Sequence, residues 1–415
     1  MRYALLALCG LLCHAQSELA PEVLLLAHIK AKMAANLERL PNYTCTQTIE
    51  RSYRRAPNRR FEMFDTVRLE VALVEGKEMY GWPGAKRIDE SDITKLVSGT
   101  IGNGDFALMA RNLFLTNSAQ FKYTGETDLE GRRAARFDYV VPLIASGYRL
   151  RVQPNEATVG HHGSIWADPE SFDLLRMEVF ADDIPAFLGL SASTDRMEYA
   201  RFDIAGSNFL LPAGSTLTMT QLNGSESRNV SRFHACRQFT GESVLSFGDP
   251  PPGSPPPQRA PVTEAQLPDD FVADIALQTP IDSDSTAVGD AVQASFKNPV
   301  KLDHKIAVPK GATLLGRIAR LERSGEFYIL DIAFDSIEFE NSHADLRKRD
   351  NIVSWTQTPH DLRVSNRSVG IDVLAAMPAG GQITVLTAHL KLGRSASLLL
   401  RSRLLKSESN DSIRH

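Results

Sequence analysis

The sequence predicts a mainly β protein with a few helices, an α+β chain in two β-rich units. The first unit reads as a curved antiparallel sheet, a half-barrel with a packed helix. A proline-rich linker and a small C-terminal β-barrel or sandwich follow. Three observations carry this expectation. Apolar residues recur with period two over most of the chain. A single proline tract, Asp249-Pro-Pro-Pro-Gly-Ser-Pro-Pro-Pro-Gln-Arg-Ala-Pro261, divides it. Beyond the leader only two cysteines remain, Cys45 and Cys236, and both lie before that tract.

Met1-Arg2 is a short basic start, Tyr3 to Cys13 is uncharged and apolar, and Cys13-His14-Ala15 gives way to polar Gln16-Ser17-Glu18. This is the pattern of a secretory signal peptide, residues 1–15, with cleavage after Ala15. Acylation at Cys9 after Leu6-Ala7-Leu8 is the alternative, which the large Leu8 before the cysteine fits poorly. The run is shorter than the roughly 20 apolar residues a spanning helix needs, and no transmembrane segment is expected in the mature chain. Export places the protein in the periplasm or outside the cell. There a lone cysteine pair reads as one long-range disulfide joining the first and last strands of the domain over residues 16–248.

Ser17 to Leu40 reads as an amphipathic helix, with Pro21 in its first turn and Pro41 ending it. Leu26, Ile29, Met33, Leu37 and Leu40 form its apolar stripe. From Tyr43 to about Phe247 alternation dominates, with turn chemistry at Asp128-Leu-Glu-Gly131, Asp168-Pro169 and Asn223-Gly224. Helical pieces are expected near Ser91–Ser98 and Asp105–Leu115. The run Arg51, Arg54, Arg55, Arg59, Arg60 reads as a solvated hairpin end, with a phosphate or headgroup patch as the alternative.

The linker spans residues 249–265, and a second β domain spans residues 266–404. Its expected strands include Val292–Phe296, a turn at Ser324-Gly325, a doubly buried strand Phe327–Phe334, and Gln382–Leu392 after Gly380-Gly381. Residues 405–415 read as a disordered tail.

Composition narrows function. The chain is 43% hydrophobic and 23% charged, as in globular proteins. A net charge of −4 gives no electrostatic case for nucleic acid. Gly-x-Ser-x-Gly and a phosphate-cradling glycine loop are both absent from the sequence. His161-His162 are expected in a loop, and adjacent strand positions would point them to opposite faces. Asp282-Ser283-Asp284-Ser285 lacks the glycine and glutamate of a calcium loop and reads as a turn. Asp182-Asp183 before Ile184-Pro185 reads as another. No catalytic residue, cofactor or metal is expected. Tyr80, Trp82, Trp166, Leu217 and Met219 are the expected walls of an apolar ligand site, because large side chains near strand ends offer contact area.

The leading helix, the long strands, the run Gly163-Ser-Ile-Trp-Ala-Asp-Pro-Glu-Ser-Phe-Asp-Leu-Leu-Arg-Met-Glu178 and Phe209-Leu-Leu-Pro-Ala213 resemble the outer-membrane lipoprotein carrier and sorting superfamily over residues 17–247. The resemblance implies a half-barrel enclosing a lipid or lipoprotein group. The cystine, linker and second domain depart from single-domain carriers. More weakly, Leu277–Asp284, Gly289–Ala294 and Ile306–Gly316 are similar to the β-barrel domain of conjugation and type IV secretion channel subunits. The two-part arrangement resembles uncharacterised exported bacterial proteins. The expected function is a non-enzymatic envelope protein binding a lipid-like ligand. The alternative is a structural or protein-interaction module with an envelope protein as partner.

Overall fold

The computed structural model describes residues 19–57, 60–85, 88, 90–102, 106–239, 263–355 and 383–405. The expected leader, most of the expected linker and most of the expected tail lie outside the described residues.

The helix α1 (Pro21–Arg39) buries Ile29, Met33, Asn36 and Leu37. Its proline sits in the first turn, where the missing N–H has no helical partner to lose. The strands β1 (Tyr43–Arg54), β2 (Glu62–Val74) and β3 (Lys77–Gly81) follow as a meander. A 3-10 turn at Ile93–Lys95 and the helix α2 (Leu108–Leu115) then carry the chain across. The strands β4 (Gln120–Leu129), β5 (Arg132–Val141), β8 (His161–Ala167), β9 (Leu174–Ala181), β10 (Leu190–Ile204), β11 (Ser207–Gln221) and β12 (Glu226–Gln238) return from the far edge. A separate hairpin, β6 (Arg149–Val152) with β7 (Asn155–Thr158), interrupts them.

The resulting ten-stranded sheet has the order β3-β2-β1-β12-β11-β10-β9-β8-β5-β4, and each neighbouring pair is antiparallel. The first strand of the unit therefore meets the last. At that seam the register shifts between Thr44 and Thr46, Ala235 takes a left-handed φ of 51°, and Cys45 bonds Cys236 with Cα atoms 4.1 Å apart. The bulge lets the two cysteines face each other.

Directly paired residues share a face of a sheet. One row runs Ile49–Ser231–Ser215–Met197–Met177–Ile165–Phe137 across seven strands. Its far part packs against Ile29 and Met33 of α1 and Leu113 and Phe114 of α2. This is the concave face of the half-barrel, and the helices fill that portion of it.

The second unit contains β13 (Thr263–Glu264), β14 (Asp270–Leu277), β15 (Ile281–Asp282), β16 (Ala291–Phe296), β17 (Val300–Leu302), β18 (Lys305–Val308), β19 (Thr313–Ser324), β20 (Phe327–Phe339), β21 (Ser342–Asp345), β22 (Arg349–Trp355), β23 (Ile383–Leu386), β24 (Lys391–Leu392) and β25 (Ser397–Leu404). Its main sheet has the order β13-β21-β20-β19-β16-β14-β25-β22, and β23 also pairs with β20. Thr263 and Glu264, expected in the linker, instead form an edge strand beside β21. The strand β20 alternates buried with half-buried positions, so only one of its faces is fully covered, not both as expected.

Buried residues of the two sheets belong to one hydrophobic cluster, and the sheets also meet at the edge of β2 over residues 62–69, which the short β3 leaves uncovered. Val288 donates to Thr66 O and accepts from Arg68 N, both at 2.8 Å. Arg68 also pairs with Asp290. Trp82 packs against Gly289 and lies 5.2 Å beneath the Arg317 guanidinium.

Candidate functional site

A second concave row runs Arg51–Asn229–Leu217–Asp195–Val179–Gly163–Tyr139, and a third begins Ser227–Met219–Ser193. The far end of the second row, Val179 and Tyr139, still packs with α1 and α2, while its Arg51–Asp195 part and the third row lie outside that cluster. They mix apolar Leu217 and Met219 with polar Ser193, Asp195 and Asn229, and Ser215 and Ser231 belong to the next row. Leu217, Ser193, Asp195, Asn229, Ser215 and Ser231 are buried, and Met219 is partly buried. Buried hydroxyl, amide and carboxyl groups need partners, so such a floor cannot be covered by side chains of apolar type alone.

Two covers lie over it. The first is the segment Ser98–Gly102. Arg51 Nη1 donates to Ser98 O, and Asn229 Nδ2 donates to Thr100 O at 2.9 Å. Gly102 sits so close that a Cβ there would meet Leu217 at 3.2 Å. The second cover is the β6–β7 hairpin. Leu150 packs with Leu188, Leu190 and Met219, and the Tyr148 hydroxyl meets that of Ser193 at 3.3 Å. The covers join at the surface, where Arg151 Nη1 lies 3.0 Å from Asp92 Oδ2.

Charge is arranged to hold these pieces. Asp92 caps the 3-10 turn by accepting from Thr94, and this bond, followed by Arg151, holds its carboxyl below the ordinary value. Hydrogen bonds to Glu156 and then Asp92 push the Arg151 guanidinium up. Deeper, Arg51 Nε donates to Asp65 Oδ1 at 2.6 Å and Nη2 to Oδ2 at 2.5 Å, with both residues buried. Burial pushes the Asp65 carboxyl up against the opposing pull of Arg51. The expectation of a wholly solvated arginine run is thus corrected at Arg51, whose position opposite Asp65 in the β1–β2 register draws it inside. The rest of the run behaves as a hairpin end: Arg54 stacks on Phe61 and Arg55 on Tyr53. Arg59 lies outside the described residues.

The five expected wall residues are spread over different places. Leu217 and Met219 belong to the covered floor. Tyr80 is buried in the same unit, its hydroxyl donating to Glu78 at 2.6 Å. Trp82 is the contact with the second unit. Trp166 pairs across strands with Arg136 and Arg176 on the convex face, stacked under the Arg136 guanidinium. The polar floor and the Asp92–Arg151 pair escaped sequence reading. Small polar residues on alternate positions of β11 and β12 were the available signal.

His161 and His162 open β8, not a loop, and they point to opposite faces. His161 is buried against Tyr139 and Tyr148, and burial lowers its basicity. His162 is exposed and meets Asp182 at 2.6 Å. In the second unit, ligand-type atoms of Asp282, Asp284 and His389 lie within 4.8 Å of one another. His389 Nε2 and Lys391 Nζ approach the two oxygens of Asp282 at 2.6 and 3.1 Å, so this cluster closes as an ion-pair network. The hydrogen bond from His389 holds the Asp282 carboxyl far below its ordinary value. A cavity of about 650 Å³ near β21 is lined by Glu264, Glu338, Glu340, His343 and Asp345.

No protein-family model and no curated protein matches the chain. Among solved structures, it is similar to a protein described as an outer membrane lipoprotein-sorting protein domain from Vibrio parahaemolyticus, at 14% identity and TM-score 0.29, covering 52% of this chain and 92% of that one. A DUF1329 family protein from Desulfovibrio piger matches at 13% identity and TM-score 0.28, covering 53% and 95%. A LolA superfamily protein from Nitrosomonas europaea matches at 11% identity and TM-score 0.27, covering 52% and 93%. Scores this low carry no argument about function, and none of the three supports the secretion-channel resemblance of the second half. No helix among the described residues is long and apolar enough to cross a membrane.

Proposed function

We propose that this chain is an exported, non-catalytic envelope protein whose half-barrel binds an apolar or amphipathic ligand, such as a lipid or lipoprotein acyl group. The observation that supports the reading is the floor of Leu217 and Met219 beside Ser193, Asp195 and Asn229. Neither of its two covers is a strand of the main sheet. An acyl chain would lie over the leucine and methionine, exchanging water for apolar contact, and a polar head would meet the amide and hydroxyls. The part of the concave face under α1 and α2 is already occupied, which limits the ligand to the covered end. The disulfide agrees with an oxidising compartment.

Native mass spectrometry of the protein purified from an exporting host tests this reading. A co-purifying amphiphile, and a thermal shift with long-chain fatty acids that Leu217→Arg abolishes, are expected. Protein free of any amphiphile, with no shift from fatty acids or lipopeptides, would count against it.

A docking module without a small ligand is the second reading. It is favoured by the exposed apolar tips Leu143, Ile144, Phe187 and Leu222, which are 59, 97, 60 and 64% exposed. They stand on turns at one end of the sheet, and exposed apolar groups gathered in this way mark interaction sites.

A further inference from the structure

The two covers are independent pieces of chain. One is the segment Ser98–Gly102, which follows the 3-10 turn at Ile93–Lys95, and the other is a hairpin inserted between β5 and β8. The β6–β7 hairpin forms its own two-stranded sheet and shares no ladder with the ten strands beneath it. Its outer strand carries Arg149 and Arg151, both held by Glu156 on β7. Arg151 also reaches outward from the hairpin to the other cover, at Asp92. That contact is exposed, with side chains 42 and 32% accessible. Beneath it the covers make different contacts with the floor: Ser98 and Thr100 bond Arg51 and Asn229, while Leu150 and Tyr148 meet Met219 and Ser193. The hairpin is further tied to the turn at Ala186–Leu188, where Asn155 Nδ2 donates to Phe187 O at 3.3 Å.

We infer that Asp92 and Arg151 form a clasp that couples the two covers, and that its release opens the floor of Leu217, Met219, Ser193 and Asn229 to an amphiphile. The inference rests on the ligand-binding reading for the identity of what enters, but not for the coupling itself. A solvent-exposed ion pair is a weak bond, and this suits the role. It holds the covers together in the resting protein and yields without disturbing the sheet. Asp92 is also fixed from within by its hydrogen bonds with Thr94, so movement at the clasp is passed to the 3-10 turn at Ile93–Lys95 and to the segment that follows. The first cover is anchored by Ile93 and Val97, buried in the main core, whereas the hairpin shares no ladder with the sheet and meets the floor through Leu150 and Tyr148, so opening moves the hairpin. That difference locates the hinge at the base of the hairpin.

Hydrogen–deuterium exchange on the full oxidised protein, wild type against Arg151→Ala, tests the coupling. Amides of residues 92–102 and 149–158 are expected to exchange about two- to five-fold faster together, the range an exposed pair supports. The strands β10 and β11 should be unchanged. Glu156→Ala serves as the control, because it loosens the hairpin without touching Asp92. Acceleration confined to the hairpin in both variants would overturn the clasp. In parallel, stopped-flow uptake of a fluorescent fatty acid should accelerate by a similar factor in Arg151→Ala. If exchange rises in both covers but neither protein takes up the probe, the clasp stands and the ligand-binding reading fails.

Discussion

Gly289→Ala is the most direct test of how the two units are joined. Gly289 has φ of 98°, a region L side chains rarely adopt, and a Cβ there would lie 2.4 Å from Arg68 O and 2.6 Å from the Trp82 ring. Neither neighbour is the free end of a flexible chain, so the segment must back away from β2. The left-handed backbone costs an alanine about 1–2 kcal/mol. Retreat also breaks the two backbone hydrogen bonds of Val288, at about 1 kcal/mol each. The exposed edge of the Arg68–Asp290 pair adds up to about 1 kcal/mol. The contact between the units should therefore weaken by about 3–5 kcal/mol. Calorimetry should show the main transition lowered by roughly 6–12 °C at the lower figure, or split into two. Trp82 fluorescence should shift to longer wavelength as its ring meets water. A variant that melts within about 1 °C of wild type, with unchanged fluorescence, would refute both the close approach and the docking it describes.

Other outcomes follow from the same structure. Cys45→Ala with Cys236→Ala opens a loop of 191 residues, and the chain-entropy relation puts the loss near 5 kcal/mol at most. Equal urea midpoints for oxidised wild type and this double variant would contradict it. Arg51→Ala leaves the Asp65 carboxylate buried and unpaired and should cost about 3–5 kcal/mol, whereas Arg51→Met with Asp65→Leu should cost much less; denaturant titration distinguishes them. Hydrogen bonds from Arg347 lower the Asp345 carboxyl from 3.8 to about 2. The folded state thus binds that proton less tightly than the unfolded chain, and the stabilisation present above about pH 4 is lost as pH falls toward 2. Asp345→Asn should flatten the acid limb of the stability curve over that window, and an unaltered limb would argue against the pairing.

Much of the fold was legible because period-two patterning and turn residues act locally. β1, β11 and β12 need only alternate side chains and an Asn223-Gly224 turn to declare themselves, and α1 needs only its stripe and Pro21. The cystine was legible for a different reason: the two cysteines left beyond the expected leader allow a single pairing. What could not be read is whatever depends on register between distant segments. Arg51 looks like one more surface arginine until β2 sets Asp65 opposite it. Asp282 looks like a turn residue until His389 arrives from 107 positions away. The candidate site was half legible for the same reason. Leu217 and Met219 announce apolar contact wherever they fall, and both lie on the covered floor. Trp166 announces the same and lies on the convex face instead, because one residue of offset along a strand exchanges the faces. Ser193, Asp195 and Asn229 carry no signal of their own. They become one covered surface only when three strands, β10, β11 and β12, set them side by side with Leu217 and Met219.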